Sequence, residues 1–388
     1  MRSVSVIGIG ETEMGSFPER SLRDMVKEAG NKSIEDSNIE REKIQAIYVG
    51  NFNSSYLCGQ SHMGPLVSEE LNLGNVPTLR TENACASGSL ALRQAFISVA
   101  SGVYDYVLVG GLEKMNHRST EEVTSALASA SDSINEFGIG ATFPSLFAMI
   151  ANRYMYEYKA TREMLAAVAV QNHENGFKNP HAQLKKKITI EKVINGFPVA
   201  HPFTIYDCSL VTDGAAFLVI GASDLLNKKE KERAVEIIGS GHAGDTLRLA
   251  ARKDITKFPA TIKAAEEAYK MAGIKAKDIN FAEVHDCFTM TQIINTEDLG
   301  FFEKGDGGPA VLEGKTALDG KIPINPSGGL KSKGHPIGAT GLSQVYEAVL
   351  QLRGKADDRQ VKQADIGLTH NLGGTASTCL VNIFRRLK

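Results

Sequence analysis

Val4-Ser5-Val6-Ile7-Gly8-Ile9-Gly10 opens the chain, and a similar stretch, Val235-Glu236-Ile237-Ile238-Gly239-Ser240-Gly241, returns past its midpoint. Each reads as a buried strand ending among glycines. The first is followed by a helical segment from about Ser21 to Ser37, opened by the Ser-x-x-Asp capping pattern of Ser21 and Asp24. Ile39, Ile44 and the strand Ala46-Ile47-Tyr48-Val49-Gly50 come next. The second is followed by a helix from about Pro259 to Met271, then Ile274, Ile279 and the strand Phe281-Ala282-Glu283-Val284-His285. Ile39, Ile44 and Val49 stand at one constant offset from Ile274, Ile279 and Val284. Further on, Cys85 precedes a helix (Leu90 to Val99) and a strand (Tyr106 to Gly110). His335 likewise precedes a helix (Leu342 to Leu352) and a strand (Ile366 to His370). This is an internal duplication of alternating strands and helices. It predicts mixed or parallel sheets with helices on both faces, and two halves stacked in five layers, α-β-α-β-α.

A stretch rich in Ser, Ala, Met, Asn and Lys interrupts the first half, with helical patterning near Met149 to Tyr158 and Arg162 to Gln171. The expected division is an N-terminal half at 1–111 and 203–230, an inserted loop domain at 112–202, and a C-terminal half at 231–388. Long insertions between sheet elements commonly serve as lids or binding walls.

The chain has 388 residues, 42% of them hydrophobic, and a formal net charge of -2. That is enough for a large core, and it leaves no broad basic face for nucleic acid. The run Lys185-Lys186-Lys187 is short and reads as a solvated loop face or a contact to a ligand phosphate. The N-terminus enters a strand at once and lacks signal-peptide features, and no apolar run reaches the ~18 residues of a membrane helix. Five scattered cysteines, Cys58, Cys85, Cys208, Cys287 and Cys379, argue for a reducing, cytoplasmic setting rather than a disulfide framework.

Four turns carry the chemistry. In Asn83-Ala84-Cys85-Ala86-Ser87-Gly88-Ser89 a thiol sits among tiny residues at a helix start. There the helix dipole is expected to lower its pKa, and free N–H groups face an oxyanion. The competing reading is a buried structural cysteine. In Gly334-His335-Pro336-Ile337-Gly338-Ala339-Thr340-Gly341, Pro336 restricts His335 to extended geometry and the glycines allow close ligand approach. Its place in the repeat matches that of Cys85, so the two are expected at one seam as nucleophile and base. In Val284-His285-Asp286-Cys287-Phe288, His285 and Cys287 point the same way on an extended segment. They read as an oxyanion donor and an acid or base, or else as a metal ligand and an inert thiol. A metal is disfavoured because no further ligands follow at the usual spacing. In Thr369-His370-Asn371-Leu372-Gly373-Gly374 the glycine pair exposes N–H groups suited to an oxyanion hole. His370 either tunes a nearby thiol or packs.

These residues resemble the thiolase superfamily over nearly the whole chain. The matches are the Ala-Cys-Ala-Ser-Gly turn at Cys85, Gly110-Gly111-Leu112-Glu113-Lys114-Met115, Ser209 to Ala216, Asn325-Pro326-Ser327-Gly328-Gly329, and Gly334 to Gly341. Where common thiolases carry Asn-Glu-Ala-Phe, this chain has His285-Asp286-Cys287-Phe288. Where they carry a second catalytic cysteine in Cys-x-Gly, it has His370-Asn371-Leu372-Gly373. Both departures resemble the sterol-carrier-protein type thiolases and their archaeal relatives.

The resemblance implies an α/β duplicated thiolase fold and an acyl-CoA C-acyltransferase, acetyl-CoA C-acetyltransferase, of lipid and mevalonate metabolism. It would condense two acetyl-CoA to acetoacetyl-CoA and CoA, or run the reverse thiolysis. Cys85 would carry the acyl group and His335 would activate it. Cys287 would take the α-proton, with His370 orienting it. His285 would hold the enolate oxygen, the Cys85 and Gly373 turns would hold the oxyanion, and Ser209 would contact CoA. Cys379 is expected in the core. No metal and no cofactor beyond CoA thioesters is implied. Partners implied are a second copy or a tetramer, a hydroxymethylglutaryl-CoA synthase and a small zinc-binding OB-fold protein. The alternatives are a ketoacyl synthase, a retro-aldolase or another thiolase-like acyltransferase, and a non-catalytic CoA-binding scaffold. Cys85 weighs against the retro-aldolase and Cys287 against the ketoacyl synthase.

Overall fold

In the computed structural model, which describes residues 2–387, the duplication appears as two sets of strands in one order. The strands are β1 (Val4–Glu11), β2 (Ala46–Gly50), β3 (Thr78–Thr81), β4 (Tyr106–Glu113), β5 (Pro198–Ala200), β6 (Phe203–Thr204), β7 (Gly214–Ala222), β8 (Val235–Gly244), β9 (Phe281–Glu283), β10 (Ile366–Gly373) and β11 (Thr378–Arg386). All but β5 and β6 form a sheet of order β3-β2-β4-β7-β1-β8-β11-β10-β9. In the first half β2 and β4 are parallel, β4 and β7 antiparallel, β7 and β1 antiparallel. In the second half β9, β10, β11 and β8 repeat that order and polarity. The halves meet through two residue pairs, Ser5 with Glu236 and Val6 with Val235.

Helices cover both faces, which is why β1 is buried along its whole length. Two helices form the middle layer, Ser87–Ala100 behind Cys85 and Thr340–Arg353 behind His335. Leu92, Ala95 and Val99 of one share a core with Leu342, Val345 and Val349 of the other, with Leu218 of the first half and Phe281 and Phe384 of the second. The outer layers are the helix Leu22–Ser37, capped by Ser21 and Asp24 as expected, and the helix Pro259–Ala272. Met25, Val26 and Ala29 pack on Ile7 and Val219, and Ala260, Ala264 and Ala268 on Val381 and Ile383. The expected five layers are thus present.

Strand β4 runs on through Leu112 and Glu113, paired with Ala215 and Gly214, so the long connection leaves the sheet two residues later than the sequence suggests. It carries helices Thr120–Ala128, Phe143–Tyr158 and Arg162–Phe177 and the β5–β6 hairpin. It then returns to β7, beside β4. Leu146, Phe147 and Ile150 of this connection pack on Phe288, Met290 and Ile293 of the second half. A segment belonging to the first half therefore roofs the second.

The N-terminal ends of the two central helices meet through glycine. A Cβ on Gly88 would lie 2.6 Å from the Gly338 carbonyl oxygen, and one on Gly111 would lie 2.4 Å from the same atom. Backbone presses on backbone there, and this contact brings the Cys85 and His335 turns together. Gly88→Ala is expected to cost about 1–3 kcal/mol of stability, read as a lower urea midpoint at unchanged slope, and to reduce turnover. An unchanged midpoint would show that the seam is slack.

Candidate active site

Both central helices end at a cavity of about 420 Å³, lined by Cys85, His285, Cys287, His335, Ser209 and Gly374 beneath the rings of Phe143, Phe147 and Phe288. The Cys85 turn is sharp because Ala84 holds φ at 48°, in the left-handed region, a strained setting common at functional turns. Cys85 Sγ and a ring nitrogen of each of His285 and His335 lie within 4.8 Å of one another. The two imidazoles stand edge to face, with centroids 5.0 Å apart. His285 and Cys287 both reach the cavity, as alternation predicts, while Asp286 turns away. Its buried carboxylate accepts from Leu330 N, Lys331 N and Asn172 Nδ2.

The hydrogen bonds fix the proton on each ring. Thr340 donates its hydroxyl to the Pro336 carbonyl at 3.0 Å. Its oxygen, 2.7 Å from His335 Nδ1, is then left to accept. His335 therefore carries Nδ1–H and presents a bare Nε2, the form a base needs. His285 is the reverse. Asn371 Nδ2 donates to its Nδ1 at 2.9 Å, so its proton sits on Nε2, a buried atom with no partner. One imidazole offers a lone pair to the cavity and the other a proton.

The thiols are held neutral at rest. Burial, then the Glu113 carboxyl, pushes Cys85 up to about 12. Burial drags His335 down to about 3. The dipole-lowered thiolate expected from sequence is therefore corrected. Desolvation of the charged form outweighs a helix start whose first residue, Ser87, lies two positions away. Cys287 is also pushed well above its ordinary value, by burial and then by Cys85. A neutral pair predicts that alkylation of Cys85 by iodoacetamide in the free protein climbs about tenfold per pH unit from 7 to 9. A plateau already reached below pH 7 would indicate a resting thiolate–imidazolium pair.

Two assignments shift. The amide beside the Cys85 sulfur is that of Gly374, one residue beyond the expected Gly373. His370 does not reach Cys287. Its Nδ1 accepts the His285 backbone N–H at 3.3 Å and its Nε2 donates to Thr261 Oγ1 at 3.0 Å. It is buried against the outer helix, together with the core residue Cys379. Alternation along β10 is the signal that separates them, since His370 and Asn371 must face opposite ways. Ser209 does line the cavity, and its N–H donates to the Cys287 carbonyl at 2.8 Å. The role of Glu113 was missed from sequence. Fully buried and raised to about 7 by desolvation, it accepts from the N–H groups of Phe52, Asn53 and Gly338, clamping the His335 turn to the first half. Thr212 Oγ1 accepts the His335 N–H from the other side at 2.9 Å.

Known proteins are similar to this chain along its whole length. The family model "Thiolase, N-terminal domain" matches residues 4–199 and "Thiolase C-terminal domain-like" matches residues 241–386. The acetyl-CoA acetyltransferase of Methanothermobacter thermautotrophicus is 48% identical over 386 residues, covering 100% of both chains. Sterol carrier protein 2 of Oryctolagus cuniculus is 33% identical, over 95% of this chain and 70% of its own. The solved Ltp2-ChsH2(DUF35) aldolase superposes with a TM-score of 0.85 at 23% identity, covering 98% of this chain and 97% of that one, a likeness of fold.

Proposed function

The chain belongs to the thiolase family, and from that premise we propose that it is an acetyl-CoA C-acetyltransferase working through an acyl-Cys85 intermediate. It condenses two acetyl-CoA to acetoacetyl-CoA and CoA, or runs the reverse thiolysis. The observation that carries this reading is the cluster of Cys85 Sγ with the two imidazoles within 4.8 Å, one a lone-pair donor and the other a proton donor.

The two tautomers give each residue a step. Cys85 attacks the thioester carbonyl as its proton passes to His335 Nε2, and the N–H groups of Cys85 and Gly374 receive the oxyanion. As CoA thiolate leaves, it takes the Cys287 proton. The site then holds a Cys287 thiolate beside a His335 imidazolium, whose charge supplies what Cys287 lacks at rest. The second acetyl-CoA places its thioester oxygen between His335 Nε2–H and His285 Nε2–H. Cys287 takes the α-proton, and the enolate attacks acyl-Cys85. The departing Cys85 thiolate recovers its proton from His335, and every group is back in its resting form.

Asn371 and His370 are positioning residues for His285 in this scheme. Asn371→Asp exchanges a donor for an acceptor, moves the His285 proton to Nδ1 and removes the enolate donor. It is expected to lower kcat by about 10²–10³-fold with little change in KM. A purely structural Asn371 would tolerate the change or lose folded protein instead. The proposed activity is tested by supplying acetoacetyl-CoA and CoA to the purified protein and following acetyl-CoA; no thiolysis would overturn the short-chain reading.

The substrates are CoA thioesters, with Ser209 on the wall that receives CoA, and no other cofactor enters the scheme. We read the stretch after β4, residues 114–202, as an inserted loop domain between the parts of an N-terminal half, with 231–388 as the C-terminal half. A homodimer or tetramer is supported by β3, which lies at the end of the sheet order and carries an exposed Leu79. A hydroxymethylglutaryl-CoA synthase and a small zinc-binding OB-fold protein would have the exposed Ile134, Ile139 and Phe197 to cover. The Ltp2-ChsH2(DUF35) aldolase, named for two components, supports such an assembly. No helix among the described residues is long and apolar enough to cross a membrane, and the five free cysteines support a cytoplasmic setting.

A further inference from the structure

We propose that Cys85, His285 and His335 together form a reversible inhibitory site for a soft divalent cation such as Zn²⁺, exclusive of the acyl group. Sequence spacing argues against a metal, because the three residues lie far apart along the chain. The fold gathers them. Their ligand atoms lie within 4.8 Å of one another, and a tetrahedral ion with ordinary Zn–S and Zn–N bonds needs ligand atoms about 3.5 Å apart.

The surroundings already suit such an ion. His335 gives its Nδ1 proton to Thr340 Oγ1 at 2.7 Å, which leaves Nε2 bare for a metal and the ring oriented by a second partner. His285 Nε2 is fully buried and unpartnered. To ligate, it must send its proton to Nδ1, where Asn371 now donates at 2.9 Å. The Asn371 Oδ1 atom is itself without a partner, so turning the amide over supplies the acceptor that Nδ1–H requires. On binding, the Cys85 S–H bond breaks, a Zn–S bond forms and one proton leaves to solvent. The fourth position opens on the cavity. An acetylated Cys85 has no thiolate to give, so acylation and metal binding exclude each other.

The inference uses the geometry of the proposed catalytic site but has a readout independent of turnover. Co²⁺ titrated into the intact protein in thiol-free buffer should bind one equivalent and produce a sulfur-to-cobalt charge-transfer band, and Zn²⁺ should displace it. Cys85→Ser should abolish the band, and prior acetylation should block it. His285→Asn should weaken binding at least about 10-fold, and Asn371→Asp should tighten it by about 10-fold or more. That last change is opposite in sign to its effect on turnover. Zn²⁺ should inhibit thiolysis, with full recovery on chelation. No charge-transfer band, or an unchanged one in Cys85→Ser, would overturn the metal site whatever the enzyme's activity. Loss of thiolysis without any metal, while the band persists, would instead fault the proposed reaction.

Discussion

Cys85→Ala is expected to abolish acetoacetyl-CoA thiolysis, by at least about 10⁴-fold. The reason is positional as well as chemical. The cavity holds a second thiol, Cys287, and a third cysteine, Cys208, lies on its wall. Neither has the other features of Cys85, which sits against the Gly374 amide and clusters with both imidazoles. Cys287 has Thr291 Oγ1 at 3.8 Å as its hydrogen-bonding neighbour. It has no place in the Cys–His–His cluster, so it cannot take over as nucleophile. The substitution removes a side chain partly open to the cavity, so the variant should unfold near the wild-type midpoint. Thiolysis surviving within tenfold of wild type would place the acyl group elsewhere.

Cys287→Ala is expected to lower condensation and thiolysis by about 10²–10⁴-fold, the range for losing a positioned acid or base, while leaving acyl transfer to Cys85 in place. Without Cys287, departing CoA thiolate is still a stable leaving group near neutral pH, and His335 returns the proton instead. The missing step is removal of the α-proton, because the bare ring nitrogen that remains, His335 Nε2, is placed at the thioester oxygen in this scheme. His285 holds its proton on the atom that faces substrate, and His370 is bonded away from it. Equal loss of both half-reactions would instead mean that Cys287 supports the shape of the Cys85 pocket.

Much of this was legible in the sequence because it is carried by short-range pattern. The repeated strand-plus-glycine starts, the constant offset of the isoleucines and the capping pair Ser21 and Asp24 depend on neighbours a few residues away. The halves they predict are present. The turn glycines at 88 and 338 were visible as flexible positions, but their mutual contact was not. What stayed hidden was set by register and burial. Whether Gly373 or Gly374 meets the thiol depends on where β10 ends. The family resemblance points His370 toward Cys287, whereas strand alternation sends it to Thr261 and gives the His285 ring to Asn371. The pKa of Cys85 was misjudged because a helix terminus is visible in sequence and desolvation is not. Ligand spacing disfavours a metal at His285 and Cys287, and it is blind to the cluster of Cys85, His285 and His335, whose residues come from three separate turns.

The most direct test of the central claim is peptide mass spectrometry of the wild-type protein and Cys287→Ala after exposure to acetyl-CoA alone. An acetyl group on Cys85 in both proteins, retained in Cys287→Ala and discharged from wild type as acetoacetyl-CoA forms, is the predicted result. An adduct on Cys287 or Cys208, or no adduct at all on wild type that still turns over, would contradict a mechanism built on acyl-Cys85.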